Sequence, residues 1–252
     1  MRVCGLIAVI LLSIVDLAWP QVDVGSTQSA KLPMYRPVLI GNSPDSLINR
    51  IDSAGLMAQG QKDAVIMFSC SVKKDGSIQT VSTYRGTPDS NLLEQEVLKK
   101  LSAAANPKMI PAVYNHITVD AIYYGTVMFS IVDGKPRLRI FSNQEREELT
   151  KEADFISPQP FWGGDSKFDG FHYPNPETAP VGVDAFAELE VKVDATGNLQ
   201  ELKLLTEKPP FLGFGSVAFA DMKRARFIPA FRNGKPVVAT VNIPVYYKAP
   251  GF

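Results

Sequence analysis

Apolar and polar residues alternate through Phe68, Cys70 and Val72, and again through Leu189, Val191 and Val193, with Glu188, Glu190 and Lys192 in between. Side chains on a strand point to opposite faces in turn, so each stretch predicts a strand with one buried face. Gly76 and Gly197 follow. A short loop with glycine near its end suits a hairpin whose last residue takes positive φ, which predicts return strands over residues 78–84 and 199–205. The period then lengthens. Leu93, Val97 and Leu101 recur at four-residue spacing and predict a helix that starts near Ser90 or Asn91 and carries Lys99 and Lys100 at its negative pole. Ser216 is expected to open a second helix, with Ala218, Met222 and Ala225 as its apolar stripe and Lys223, Arg224 and Arg226 in its last turn. Pro111 and Pro229 then stop helical structure and lead into final strands over residues 117–132 and 237–247.

The two halves also match residue by residue. Lys108-Met-Ile-Pro-Ala-Val-Tyr-Asn115 lines up with Arg226-Phe-Ile-Pro-Ala-Phe-Arg-Asn233 at an offset of 118, and Val72-Lys-Lys-Asp-Gly76-Ser-Ile78 with Val193-Asp-Ala-Thr-Gly197-Asn-Leu199 at an offset of 121. Offsets this similar indicate duplicated modules. The order strand, strand, helix, strand predicts an α+β fold: two tandem modules, each a small antiparallel sheet with one packed helix. The expected organisation is residues 1–18 as a signal peptide, 19–55 as an N-terminal segment, 56–141 as the first module, 142–170 as a connector and 171–252 as the second module. The connector is rich in Pro, Gly and aromatic residues. Phe155, Phe161, Trp162 and Phe168, continuing into Phe171 and Tyr173, are too apolar for a solvated linker and are expected to pack between the modules.

Tyr173-Pro174, then Val-x-Val-Asp194-x-x-Gly197, then Arg226-Phe227-Ile-Pro229-Ala230-x-x-Asn233-Gly234-Lys-Pro236-Val237, and a strand ending Ile243-Pro244-Val245 follow one another in the second half. In this order they resemble the C-terminal domain of TonB-type energy transducers, well over residues 171–247 and more weakly over 56–132. The resemblance implies a periplasmic domain whose sheet edge accepts a short extended peptide from an outer-membrane receptor, and a structural role for Tyr173, Pro174, Gly197, Phe227, Pro229, Ala230, Asn233 and Gly234. The chain departs from that family in lacking a spanning helix with a His face and a long Pro-rich stretch, and Pro33, Pro37 and Pro44 are too few to supply one. Energy transduction is therefore not implied, while binding of a peptide or protein is.

An edge is also indicated by elementary chemistry. Proline has no ladder donor, so Pro244 marks residues 237–247 as an edge strand, and an edge offers unpaired N–H and C=O groups to a partner strand. Val237, Ala239, Thr240, Val241, Asn242, Ile243, Val245 and Tyr247 are the expected partner-binding residues. In the first half Asp133-Gly134 predicts a hairpin that brings residues 136–141 against 126–132 and covers the corresponding edge. The second module is thus the expected binder and the first a self-capped scaffold.

The first residues are of another kind. Arg2 precedes an apolar run over residues 3–15, too short for the roughly 20 residues of a membrane-spanning helix and fitting a secretory signal, so a periplasmic or secreted protein is expected. With 26 Lys+Arg against 26 Asp+Glu the chain has no long-range field to gather polyanions, which excludes nucleic acid as the main partner. Beyond Cys4 in the leader there is one cysteine, Cys70, so no disulfide staples the exported chain and no cysteine metal cluster is available.

Candidates for chemistry are few. Cys70 with His116 would make a nucleophilic pair only if they touch, and alternation points Cys70 inward. Asp165, Asp169 and His172 could hold a divalent cation, although the spacing matches no known ligand pattern. Glu145, Glu147, Glu148 and Glu152 mix with Arg146 and Lys151 as on a solvated helix face. Gly213-Phe214-Gly215 lacks the third glycine and preceding parallel strand of a phosphate cradle. The expectation is a non-enzyme with no catalytic residue, metal or cofactor that binds a protein or peptide at the cell envelope. Two alternatives stay open: a membrane-anchored component of a TonB-dependent transport complex, and a secreted hydrolase or carbohydrate-binding protein using the aromatic connector.

Overall fold

Alternation along the chain is realised most clearly in the strand Ala64–Val72, where every second side chain is buried. The structure is a computed structural model that describes residues 31–41, 46–102, 108–151, 154–175 and 182–249. The expected signal segment and Glu152 lie outside them. The first half runs β1 (Tyr35–Arg36), α1 (Leu47–Arg50), α2 (Ser53–Ala58), β2 (Ala64–Val72), β3 (Ile78–Tyr84), α3 (Asn91–Leu101), β4 (Ala112–Tyr114), β5 (Ile117–Val132) and β6 (Lys135–Phe141). The middle holds α4 (Arg146–Thr150), β7 (Phe155–Ile156) and β8 (Gln159–Trp162). The second half runs β9 (Ala185–Val193), β10 (Leu199–Lys208), α5 (Phe214–Lys223), β11 (Arg226–Ile228), β12 (Ala230–Arg232), β13 (Lys235–Val237) and β14 (Ala239–Tyr247).

The expected α+β fold of two small modules is not what forms. Fourteen strands against five short helices make the described residues predominantly β, in one eight-stranded sheet and two of three strands. The physical reason lies in the connector. β8 pairs with β5 at Asp120 and Ala121 and with the whole of β11, so a strand from the second half is drawn into the sheet of the first. After Pro229 the chain leaves that sheet, and β12 pairs with β13 and with β7 of the connector as a sheet of its own. β14 then returns to β9, in the order β10-β9-β14. The halves therefore do not close separately, and the described residues from Leu32 onward gather into one unit.

Packing shows the same exchange. The first core, under α3, takes Phe68, Leu93, Val97 and Phe129 and adds Ile228 and Phe231 from the second half. The second, under α5, takes Leu189, Val191, Phe214 and Met222 and adds Ile122 and Tyr124 of β5. β5 is thus buried on both faces, Ala121 and Tyr123 toward one core and Ile122 and Tyr124 toward the other, which is why residues 121–124 read as an unbroken apolar run.

The repeated motifs encode local locks. Gly76 and Gly197 have φ of 81° and 85°, and their carbonyls accept from Met109 N (2.9 Å) and Phe227 N (3.0 Å) of the segment that follows each helix. A Cβ at either glycine would collide with the carbonyl oxygen of the same Met109 or Phe227, so the turn demands glycine for space as well as for φ. Asn115 and Asn233, the last residues of the two Ile-Pro-Ala-x-x-Asn copies, take φ of 48° and 50° and open two-residue hairpins with His116 and Gly234, whose φ is also positive. α5 begins at Phe214 rather than Ser216 because Glu207 Oε1 accepts from Leu212 N (2.9 Å) and Phe214 N (3.2 Å), supplying the N-terminal cap.

Candidate functional site

β2 alternates, so its second face, Val65, Met67, Ser69 and Ser71, points away from α3 and stays half-buried. Across β5 this face continues through Met128, Thr126, Tyr124 and Ile122. The outer edge of β14 faces it. At one end Pro244, Val245 and Tyr246 lie over Ser69, Ser71, Thr80 and Ser82 around a gap of about 140 Å³. At the other end the two surfaces diverge into a cleft of about 650 Å³, walled by Val65, Met67 and Met128 on the sheet side, by Asn242 and Pro244 on β14, and by Glu145, which caps α4, with Arg146 and Leu149 of that helix. That volume is in the range of ligand pockets.

The edge itself is regular. β14 pairs with β9 over nine residues without a register shift, and among the described strands with no other. The outer strands β3 and β10 differ, since bulges interrupt the β2–β3 ladder once and the β9–β10 ladder twice. Bulges twist an edge away from new partners. Pro244 has no N–H to give β9, so its backbone faces outward, and residues of the same parity, Thr240, Asn242 and Tyr246, turn their N–H and C=O outward with it. Asn242 confirms this parity, because its N–H donates to Glu145 Oε1 at 3.0 Å and not to a strand. Burial holds the Glu145 carboxyl above the usual carboxylate range, against the pull of the Asn242 hydrogen bond, with Glu147, Glu188 and Glu148 as like charges adding to the rise. On the far wall Glu188 is 8% exposed and is held by Arg85 Nη2 at 2.6 Å. Arg85 lies over the Phe186 ring, and Tyr246 stacks between Tyr84 and Phe186.

The expected partner-binding residues divide accordingly. Val241, Ile243, Val245 and Tyr247 are buried in the second core and spend their backbone groups on β9. Ala239 is half-buried at the start of the strand, and Thr240 and Asn242 are exposed with outward backbone groups. Val237 is not on this ribbon: it ends β13, opposite Ala230. Sequence reasoning left out Tyr246, Glu145, Arg85 and Glu188 as features of the edge. The parity of Pro244 was a sufficient signal for Tyr246, whereas nothing local announces that Glu145, 97 residues away, meets Asn242.

The family-motif residues are structural in placement. The Tyr173 hydroxyl donates to Val183 O (2.7 Å) and its ring meets Phe214 and Tyr247 edge-on. Pro174, Phe227, Pro229 and Ala230 are buried, Gly197 closes the β9–β10 turn, and Asn233 with Gly234 forms the β12–β13 turn.

The other chemical candidates resolve into packing and ion pairs. Cys70 is buried beside Met109 Sδ (3.9 Å), and burial pushes its thiol far up. His116 lies exposed in the β4–β5 turn, with Nδ1 on Leu32 O, and does not meet it. Asp169, His172 and Asp221 do come together, but Arg224 Nη2 binds Asp169 Oδ1 and Asp221 Oδ1, both at 2.8 Å, filling the space between the carboxylates with a cation. Asp165 is elsewhere, against Tyr114 and Arg226. His172 gives N and Nδ1 to the buried Asp221 (2.8 and 3.0 Å), which fastens the connector to the end of α5. Glu148 forms a two-point pair with Arg232 (3.0 and 2.8 Å). Gly213 precedes a helix end already capped by Glu207, which leaves no cradle for phosphate. The aromatic tract packs internally, Trp162 on Phe168, Phe168 on Phe171 and Phe161 on Tyr114.

No described helix is long and apolar enough to cross a membrane. Comparison with models of protein families and with curated proteins found no match for this chain. The likeness to TonB C-terminal domains accordingly rests on the residues quoted for it.

Proposed function

We propose that this chain is an exported, non-enzymatic envelope protein that receives a short extended segment of a protein partner along the outer edge of β14, at the mouth of the cleft. The observation that carries the reading is the Asn242 N–H, turned outward from a regular edge and met by a carboxylate where a strand carbonyl would sit. A partner strand there would take backbone bonds from Thr240 and Asn242 and give one to the Pro244 carbonyl, while the cleft accommodates its alternate side chains. The resemblance to TonB-type domains supports the same mode of recognition, and the apolar run over residues 3–15 supports export.

The test is amide hydrogen exchange on the protein with and without an eight-residue peptide of alternating Thr and Val, capped at both ends. Thr240 and Asn242 amides are expected to slow on binding, while those of Val241 and Ile243, already paired with β9, stay unchanged. A peptide that binds without slowing Asn242, or no binding at millimolar peptide, would refute edge recognition.

A further inference from the structure

Glu145 occupies the position a guest must take. Its Oε1 is the acceptor for the outward Asn242 N–H, so a guest carbonyl aligned with Asn242 has to displace it. Once displaced, the carboxylate keeps its surroundings, half-buried in the cleft wall with Glu147, Glu148 and Glu188 as neighbouring like charges, and loses the hydrogen bond that offsets them. A half-buried carboxylate deprived of its partner is costly, and the cost is relieved by a cation.

Two of the cations around the cleft are already committed. Arg85 holds Glu188 at 2.6 Å, and Arg232 holds Glu148 through two bonds. Arg146, next in sequence to Glu145, also lines the cleft, and among the described residues no ion pair joins the two. The remaining wall is apolar and adaptable: Val65, Met67, Met128 and Leu149. Methionine shapes itself to irregular guests, and a lysine or arginine buries its methylene stem on such a surface while its head stays polar.

Resting on the edge-recognition reading, we infer that the cleft selects an extended guest carrying a lysine or arginine, whose cation pairs with the Glu145 carboxylate that the guest's own backbone displaces from Asn242. Glu145 is then a specificity residue with two states, an internal cap on the empty edge and a counter-ion in the occupied one.

The experiment uses three capped eight-residue peptides of alternating Thr and Val with Lys, Gln or Glu at one central position, titrated calorimetrically into the full chain and into Glu145→Gln. Exchange at the Asn242 amide is read in parallel. For the unsubstituted protein the Lys peptide is expected to bind about tenfold more tightly than the Gln peptide, with the Glu peptide weakest. In Glu145→Gln, which keeps an acceptor for Asn242 and removes the charge, the Lys-to-Gln ratio is expected to fall within about twofold while the Gln peptide still binds. Equal affinity for all three peptides with Asn242 protected overturns this inference and leaves edge recognition standing, as would happen if Arg146 turned to Glu145 instead. A Lys preference unchanged in Glu145→Gln overturns the assignment to Glu145. Absence of binding by every peptide overturns edge recognition and this inference together.

Discussion

Replacing Gly197 with alanine measures the lock that the repeated motif builds. Gly197 has φ of 85°, a conformation that costs an L-residue roughly 1–2 kcal/mol. Its new Cβ would press on the Phe227 carbonyl oxygen, so the β9–β10 turn must lift from the strand after α5. That breaks the 3.0 Å bond from Phe227 N to Gly197 O between two buried residues, and an orphaned buried amide costs about 1–3 kcal/mol. Alanine also restricts the unfolded chain, which returns about 0.4–1 kcal/mol. The expected net loss is about 2–4 kcal/mol, a large part of the roughly 5–15 kcal/mol that holds a domain folded. Gly234→Ala is the matched control, since its φ is 72° and nothing lies within 4 Å of the added Cβ. It should cost about 0–1.5 kcal/mol, the positive-φ cost less the entropy that alanine removes from the unfolded chain. Urea unfolding followed by circular dichroism, with equal slopes, gives both values. If the two variants fall within about 0.5 kcal/mol of each other, close approach contributes nothing and the lock is wrongly described.

Two further outcomes are expected. Arg85→Ala leaves the buried Glu188 carboxylate unpaired and should cost about 2 kcal/mol, below the full value for a buried pair because Arg85 is half exposed; adding Glu188→Gln should recover most of it, and a double variant no better than the single one would contradict this. Burial raises the Asp194 carboxyl, yet hydrogen bonds from Asn198 and Thr196 outweigh it and bring the pKa from 3.8 down to about 2. A lowered folded value means stability present above 3.8 and lost as pH falls through about 2. At about 1.4 kcal/mol per pH unit, halved or more for solvent screening on this open turn, Asp194→Asn should be less stable than the parent by about 1 kcal/mol at pH 7, and the gap should close near pH 2. A gap that persists unchanged to pH 2 would show that the charge is not the cause.

Legibility followed the range of the forces involved. The return strand over residues 78–84 and the strand over 117–132 were read with the bounds that β3 and β5 have, because alternation and the flanking turns are local. The helix expected from Ser90 or Asn91 begins at Asn91, but the one expected from Ser216 begins earlier, since its cap comes from Glu207 and not from the residue preceding it. The connector was read as aromatic packing and not as strands. β8, Gln159-Pro160-Phe161-Trp162, contains proline and does not alternate, and it is a strand only because β5 and β11 flank it. The edge was legible in Pro244, whose missing donor sets the parity of the whole ribbon, while the start of that ribbon at Ala239 follows from β13 having paired with β12.

The amino-acid order by itself determined the duplicated hairpins, the helices behind them, the glycine turns and an edge strand marked by Pro244, each being settled by φ preferences, side-chain periodicity or a missing N–H within a few residues. Tertiary structure alone decided that the halves share sheets and cores instead of closing as modules, and that Glu145, Arg85 and Glu188 surround the edge of β14. Those outcomes depend on which distant surfaces bury each other best, a competition among contacts that no local pattern encodes.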